Sequence, residues 1–395
     1  MHRGDRIPVF PARTRALAEP PIAALNARAA ELSAEGRELI NLGQAVLGIS
    51  PPPSALDAVR RYLQQAVHGY SPDPGLQSVR ERVARHLREV KGIRSASAEE
   101  LILTCGANQA FVNALFTVTN PGDEVILFGP HYFDHVYAIR LAGCVDVEVA
   151  LRRRGRGFEL DLEAIEAAIG EKTRCISLVS PANPAGMVVS EKQLEALCAL
   201  CEQHGLWLLS DETYDLLCFE PHQHCCPASL GLCSRVLTVG SFSKTFALAA
   251  WRVGYLHGDV EVMREALKVQ DALVVCAPVP GQLAVEAALD DAKDFAAQAR
   301  QVLLERLGII SAGFGGHPDF ELLEAQGASF LLARLRCTED DVAYSHALLD
   351  RVGLILVPGS AFGEYGRGYL RIAFGNVPSQ ALELACERIA DFRMG

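Results

Sequence analysis

The chain has 395 residues, half of them apolar, and 37 Lys and Arg against 48 Asp and Glu give it a formal charge of −11. That length exceeds one small core and fits two domains, or one large domain with a satellite. No apolar stretch reaches the roughly eighteen residues that would argue for a membrane span, and the acidic balance argues against nucleic acid, whose phosphates call for a basic surface.

In chain order, Ile22, Leu25, Ala29 and Leu32 recur at helical spacing between Pro20 and Gly36, and the segment from Leu39 to Leu42 turns strand-like. The charged start Met1-His2-Arg3-Gly4-Asp5-Arg6 leads into Pro-containing sequence, not into the apolar core of a secretory signal. Twelve cysteines without a regular framework read as reduced thiols, so a cytoplasmic protein is expected. Short apolar runs at Leu101–Thr104, Glu124–Phe128, Cys175–Val179, Leu206–Leu209 and Val236–Val239 read as buried strands. Helices such as Gln109–Val118 and Glu191–His204 separate them. Alternation of this kind predicts an α/β fold, a mostly parallel sheet sandwiched by helices. The basic run Arg152-Arg153-Arg154-Gly155-Arg156 reads as a solvated turn. A long helix near Asp294–Ala312, then strand-like Phe330–Leu335 and Tyr369–Phe374, predicts a smaller α+β unit. The expected division is an arm at 1–48 with part of the small domain, a large domain at 49–290, and a C-terminal small domain at 291–395.

Ligands of open parallel sheets bind beyond the carboxyl ends of the strands, which directs attention to five loops. Gly106, Ala107 and Asn108 open a helix whose free N–H groups could hold a phosphate. His131-Tyr132-Phe133 brings aromatic rings, Asn183 sits in a rigid Pro-flanked turn, and Asp211 precedes Tyr214 by three residues. The fifth loop carries Ser241, Ser243 and Lys244, with Arg252 eight residues on. Phosphate donors, an aromatic face, a carboxylate, a phenol and a lysine together suit pyridoxal phosphate.

The segment Ser241-Phe242-Ser243-Lys244-Thr245-Phe246-Ala247-Leu248-Ala249-Ala250-Trp251-Arg252-Val253-Gly254 resembles the cofactor-attachment signature of class I/II aminotransferases of fold type I, the aspartate aminotransferase superfamily. Asn183-Pro184-Ala185-Gly186 is similar to that family's Asn-Pro-Thr-Gly turn, and the likeness runs from about Leu42 to Phe374. The resemblance implies that Lys244 holds the cofactor as a Schiff base and shuttles the substrate proton, so its amine must be depressed from about 10.4. It implies that Asp211 pairs with the pyridinium nitrogen, that Asn183 and Tyr214 bond the phenolate oxygen, and that Phe133 stacks on the ring. The phosphate would be held by Ala107, Asn108, Ser241 and Arg252, and the substrate α-carboxylate by Arg371, with Gly43 in the substrate loop. Tyr70 is similar to a tyrosine that reaches the neighbouring subunit's phosphate, implying a homodimer. The implied reaction moves an α-amino group from an amino acid to a 2-oxo acid.

Other readings compete at each position. A lone lysine is usually a surface charge, Asp211 could cap a helix, Arg371 could be a surface ion-pair partner, and Phe133 and Tyr70 could be core aromatics. Cys198 and Cys201 sit within an amphipathic helix with no second pair at zinc-ribbon spacing, and the run His222-Gln223-His224-Cys225-Cys226 lies in a Pro-flanked loop, so no metal is expected. No arginine lies between Lys268 and Arg300, where one aspartate-type subgroup places its distal-carboxylate ligand, and Ala250 and Ala182 replace the common glycine and asparagine. A lyase or cyclase of the same fold is the principal alternative, since these reactions share their first deprotonation. A non-catalytic regulator on the same fold would be expected to carry an added DNA-binding domain.

Overall fold

The computed structural model describes residues 10–15, 17, 19 and 22–394; the charged run Met1 to Arg6 lies outside them. Seven strands form the main sheet: β1 Leu101–Thr104, β2 Glu124–Gly129, β3 Val145–Ala150, β4 Thr173–Val179, β5 Trp207–Asp211, β6 Val236–Ser241 and β7 Gly254–His257. Their spatial order is β1-β7-β6-β5-β4-β2-β3. Pairing is parallel throughout the run from β6 to β3, whereas β7 is antiparallel to both of its neighbours. Since β7 opposes both β1 and β6, those two point the same way. The carboxyl ends of all the other strands, together with the amino end of β7, therefore share one rim. The sheet is mostly parallel as expected, and the antiparallel β7 is what sequence alternation alone did not show.

Helices cover the sheet because its strands are apolar on both faces: β1 is buried along its whole length, and β5 except at Trp207. The helix Glu191–His204 coincides with its sequence expectation, entered through a Ser190 cap and left through left-handed Gly205. The helix expected from Gln109 begins two residues earlier, at Ala107, because Gly106 turns the chain at φ +82°.

A second sheet holds β8 Phe320–Leu322, β9 Phe330–Leu335, β10 Val357–Pro358 and β11 Tyr369–Ala373 in the order β8-β9-β11-β10, all antiparallel. The helix before it runs over Ala292–Gly315, longer at both ends than its periodicity indicated. The N-terminal arm joins this unit: Ile40–Asn41 pairs with Leu354–Ile355, and the Ala373 amide donates to the Leu42 carbonyl at 2.8 Å. The basic run is a two-stranded hairpin, Arg152–Arg154 with Gly157–Glu159, not a free turn. Glycine in a left-handed conformation at Gly155 allows the reversal, and Asp161, Glu159 and Glu321 take up Arg152, Arg154 and Arg153.

Candidate active site

The rim of the main sheet and the arginine-bearing strand β11 enclose a cavity of about 240 Å³. Ala107, Asn108, Phe133, Asn183, Asp211, Tyr214, Ser241, Lys244, Arg252 and Arg371 all line it. Gly43 stands just behind, its carbonyl accepting from Arg371 Nη2 at 2.6 Å. Tyr70 is elsewhere, with 85% of its surface exposed.

At one end the helix Ala107–Val118 points its first turn at the cavity, and no side chain caps it. Its amide donors are therefore left for a ligand. The approach is close: a Cβ on Gly254 would lie 2.9 Å from the Ala107 nitrogen, and one on Gly106 would lie 2.6 Å from Arg252 Nη2. Arg252 is held there by bonds to the carbonyls of Ala249 at 3.0 Å and Cys105 at 3.3 Å. Ser241 Oγ accepts from the Ser243 amide at 3.1 Å, which leaves its own proton free to donate into the cavity. Donors and one cation thus form an anion cradle.

Deeper in, buried Asp211 accepts from the Thr213 amide at 2.9 Å through one oxygen and meets His135 Nε2 at 3.1 Å through the other. His135 is in turn 3.3 Å from Ser177 Oγ and stacks on Phe111 with ring centroids 3.7 Å apart. Sequence reasoning missed His135. Two histidines share the segment after β2, and only the fold tells which of them meets the carboxylate.

Lys244 sits between these groups. Burial and the nearby charges of Arg371 and Arg252 push its amine down to about 8, against the pull of Asp211. Tyr214 is buried edge-on to Phe330 with its ionisation pushed up by burial, so the phenol keeps its proton. Arg371 donates from Nη1 to Asn183 Oδ1 at 3.0 Å, leaving the Asn183 amide protons free as donors, while its own buried Nε has no partner. Its guanidinium lies 4.8 Å from the Phe362 ring and 5.4 Å from that of Phe330. Burial pulls it down to about 10.

Two rings enter from the loop after β2. Tyr132 bonds Asp134 at 2.5 Å and meets His135 edge-on, whereas Phe133 turns to Phe362 with centroids 6.0 Å apart.

The family model described as aminotransferase class I and II matches residues 37–389. This chain belongs to that family. The aspartate/prephenate aminotransferase of Thermus thermophilus is 31% identical over 382 residues, covering 96% of this chain and 97% of that protein. The aromatic aminotransferase ISS1 of Arabidopsis thaliana is 28% identical over 366 residues, covering 91% and 90%. Among solved structures, the N-succinyldiaminopimelate aminotransferase from Mycobacterium tuberculosis superposes with a TM-score of 0.91 at 29% identity, covering 97% of this chain and 99% of that one. The fold is fold type I, and the protein is a pyridoxal-phosphate-dependent aminotransferase acting on amino acids and 2-oxo acids. Transamination thus stands over the lyase or cyclase alternative. The cavity suits the cofactor on its own chemistry, with an anion cradle at one end, a buried carboxylate in the middle and a depressed lysine between them.

The cysteine-rich segments have other company. Cys198 and Cys201 are core residues of their helix, and His224 and Cys226 bond Glu212 at 3.0 and 3.1 Å inside a buried ion cluster. Among the described residues no group of three or more His, Cys, Asp or Glu is arranged to hold a metal.

Proposed function

We propose that Lys244 is the attachment point of the cofactor and the base that carries the substrate's Cα proton. Bound in this cavity, pyridoxal phosphate supplies an electron sink for the bonds at Cα. Asp211, steadied by His135, takes the ring N–H. The Asn183 amide and the Tyr214 hydroxyl donate to the ring's phenolic oxygen, and the amides of Ala107 and Asn108, with Ser241 and Arg252, hold the phosphate. Tyr132, whose hydroxyl shares Asp134 with the Asn108 amide and whose ring meets His135 edge-on, would give the stacking face in place of the expected Phe133, whose ring turns to Phe362. Arg371 grips the substrate α-carboxylate in a forked pair, and Gly43 lets the backbone close behind it.

The observation that carries this reading is Arg371. It is a buried guanidinium with an orphaned Nε, and among the described residues it forms no ion pair, a state that is costly without an anion to meet it. The exposed Tyr70, which has no place in its own cavity, supports a homodimer in which it serves the neighbouring site. No helix among the described residues is long and apolar enough to cross a membrane, and with twelve free cysteines this supports a cytoplasmic enzyme. The division at 48 and 290 is consistent with the two sheets.

The test uses purified holoenzyme. An amino acid should yield its 2-oxo acid and pyridoxamine phosphate, and a second 2-oxo acid should reverse this. Borohydride followed by peptide mapping should find the cofactor fixed on Lys244, with no adduct in Lys244→Ala. An adduct on another lysine would overturn the assignment.

A further inference from the structure

Resting on the proposed roles, the side-chain end of the cavity names a substrate class. Three cations line the cavity, Lys244, Arg252 and Arg371, and each is committed: to the cofactor, to its phosphate, and to the substrate α-carboxylate. A substrate pinned between Arg371 and Lys244 has its side chain left to the remaining wall. That wall is Ile22, Ala45 and Phe133. Ile22 and Phe133 pack on the buried cluster of Val357, Ala361 and Phe362, and the Phe362 ring lies 4.8 Å from the Arg371 guanidinium, so one apolar cluster joins the arginine to this wall. The polar residues Asn108, Thr213 and Ser243 lie by the cradle and Asp211. Among the described residues no fourth cation lines the cavity.

We infer that this enzyme takes amino acids with neutral, apolar or aromatic side chains and discriminates against those carrying a second carboxylate. Against the wall of Ile22, Ala45 and Phe133 a distal carboxylate would lose its water and gain no charged donor, which is a far larger penalty than a missing methylene in an apolar pocket. Ile22 and Phe133 are the specificity-determining residues. An apolar side chain covers them and gains burial, whereas aspartate leaves them wet.

The experiment is the amino-donor half-reaction of the holoenzyme in single turnover, run with L-phenylalanine, L-leucine, L-methionine, L-alanine, L-aspartate and L-glutamate. The rate per unit concentration for phenylalanine or leucine is expected to exceed that for aspartate by about 100-fold or more. Ile22→Arg should narrow the ratio by at least about 10-fold through a gain for aspartate. Phe133→Ala should cost phenylalanine more than it costs alanine. Aspartate or glutamate reacting as fast as phenylalanine, or Ile22→Arg and Phe133→Ala scaling all six substrates equally, would overturn the inference while leaving transamination intact. If none of the six gave a 2-oxo acid while another amino donor did, the inference alone would fail; if borohydride fixed the cofactor on a lysine other than Lys244, the proposed roles would fail, and this inference with them.

Discussion

Arg371 and Lys91 are both cations almost without solvent contact, and they are treated in opposite ways. Lys91 Nζ lies 2.8 Å from Glu212 and 2.7 Å from Asp215, with His224 and Cys226 also on Glu212 and the Tyr255 ring 5.5 Å away. Burial works to strip its proton, but the two carboxylates outweigh that and hold the ammonium well above its ordinary range. Arg371 has carbonyl oxygens and rings around it and, among the described residues, no carboxylate at ion-pair distance, so burial wins and its pKa falls. Glu212 adjoins Asp211 in the chain, so the two environments meet at the end of one strand. A buried charge whose counter-charge is built in serves the fold; one whose counter-charge is left out serves a ligand.

The sharpest way to break this contrast is to remove each cation in turn. Lys91→Met leaves two buried carboxylates facing each other and should lower unfolding stability by about 3–5 kcal/mol, read by urea denaturation of the apoenzyme. Glu212→Gln and Asp215→Asn added to it should recover part of that loss. Arg371→Leu should do the reverse: less than half of that stability effect, but kcat/KM for the best amino acid lower by roughly 10²–10³-fold, in line with the ~2–5 kcal/mol of a buried charge pair losing one member. Equal stability losses in the two variants would erase the distinction.

A smaller effect links the arginine to the reactive lysine. In the apoenzyme, acylation of Lys244 followed by peptide mapping should show a midpoint near pH 8. Arg371→Leu should move that midpoint upward, since the arginine's charge is one of its causes. The sign for stability follows from proton counts. Between the folded value near 8 and the unfolded value of about 10.4, the unfolded chain binds more protons at this lysine, so its contribution makes the apoenzyme more stable as pH rises through that window. A Lys244 contribution of the opposite sign, isolated by comparison with Lys244→Met, would show that the amine is held charged.

Much of this was readable before the fold was known, because the loops that carry Asn183, Asp211 and Lys244 follow apolar runs that could only be buried strands. Two kinds of information were not. The antiparallel β7, Gly254-Tyr255-Leu256-His257, has only two apolar side chains in four residues, too few for a pattern to mark it as a strand, and strand direction leaves no mark on composition. His135 depends on which way the helix Phe133–Leu141 turns its side chains, and no local pattern separates it from His131, four residues earlier. The ion cluster around Lys91 joins residues 121 positions apart and was invisible to any local pattern.

The mouth of the active site borrows its outer wall from chain that precedes the helix Ala23–Ala34. Ile22 lines the cavity, and the Glu19 carbonyl is tied to Tyr137 Oη at 3.2 Å. A substitution that loosened Ile22 or the Tyr137 tie to Glu19 would therefore reach the substrate entrance, and a KM measured on it would report on the arm as well as on the chemistry.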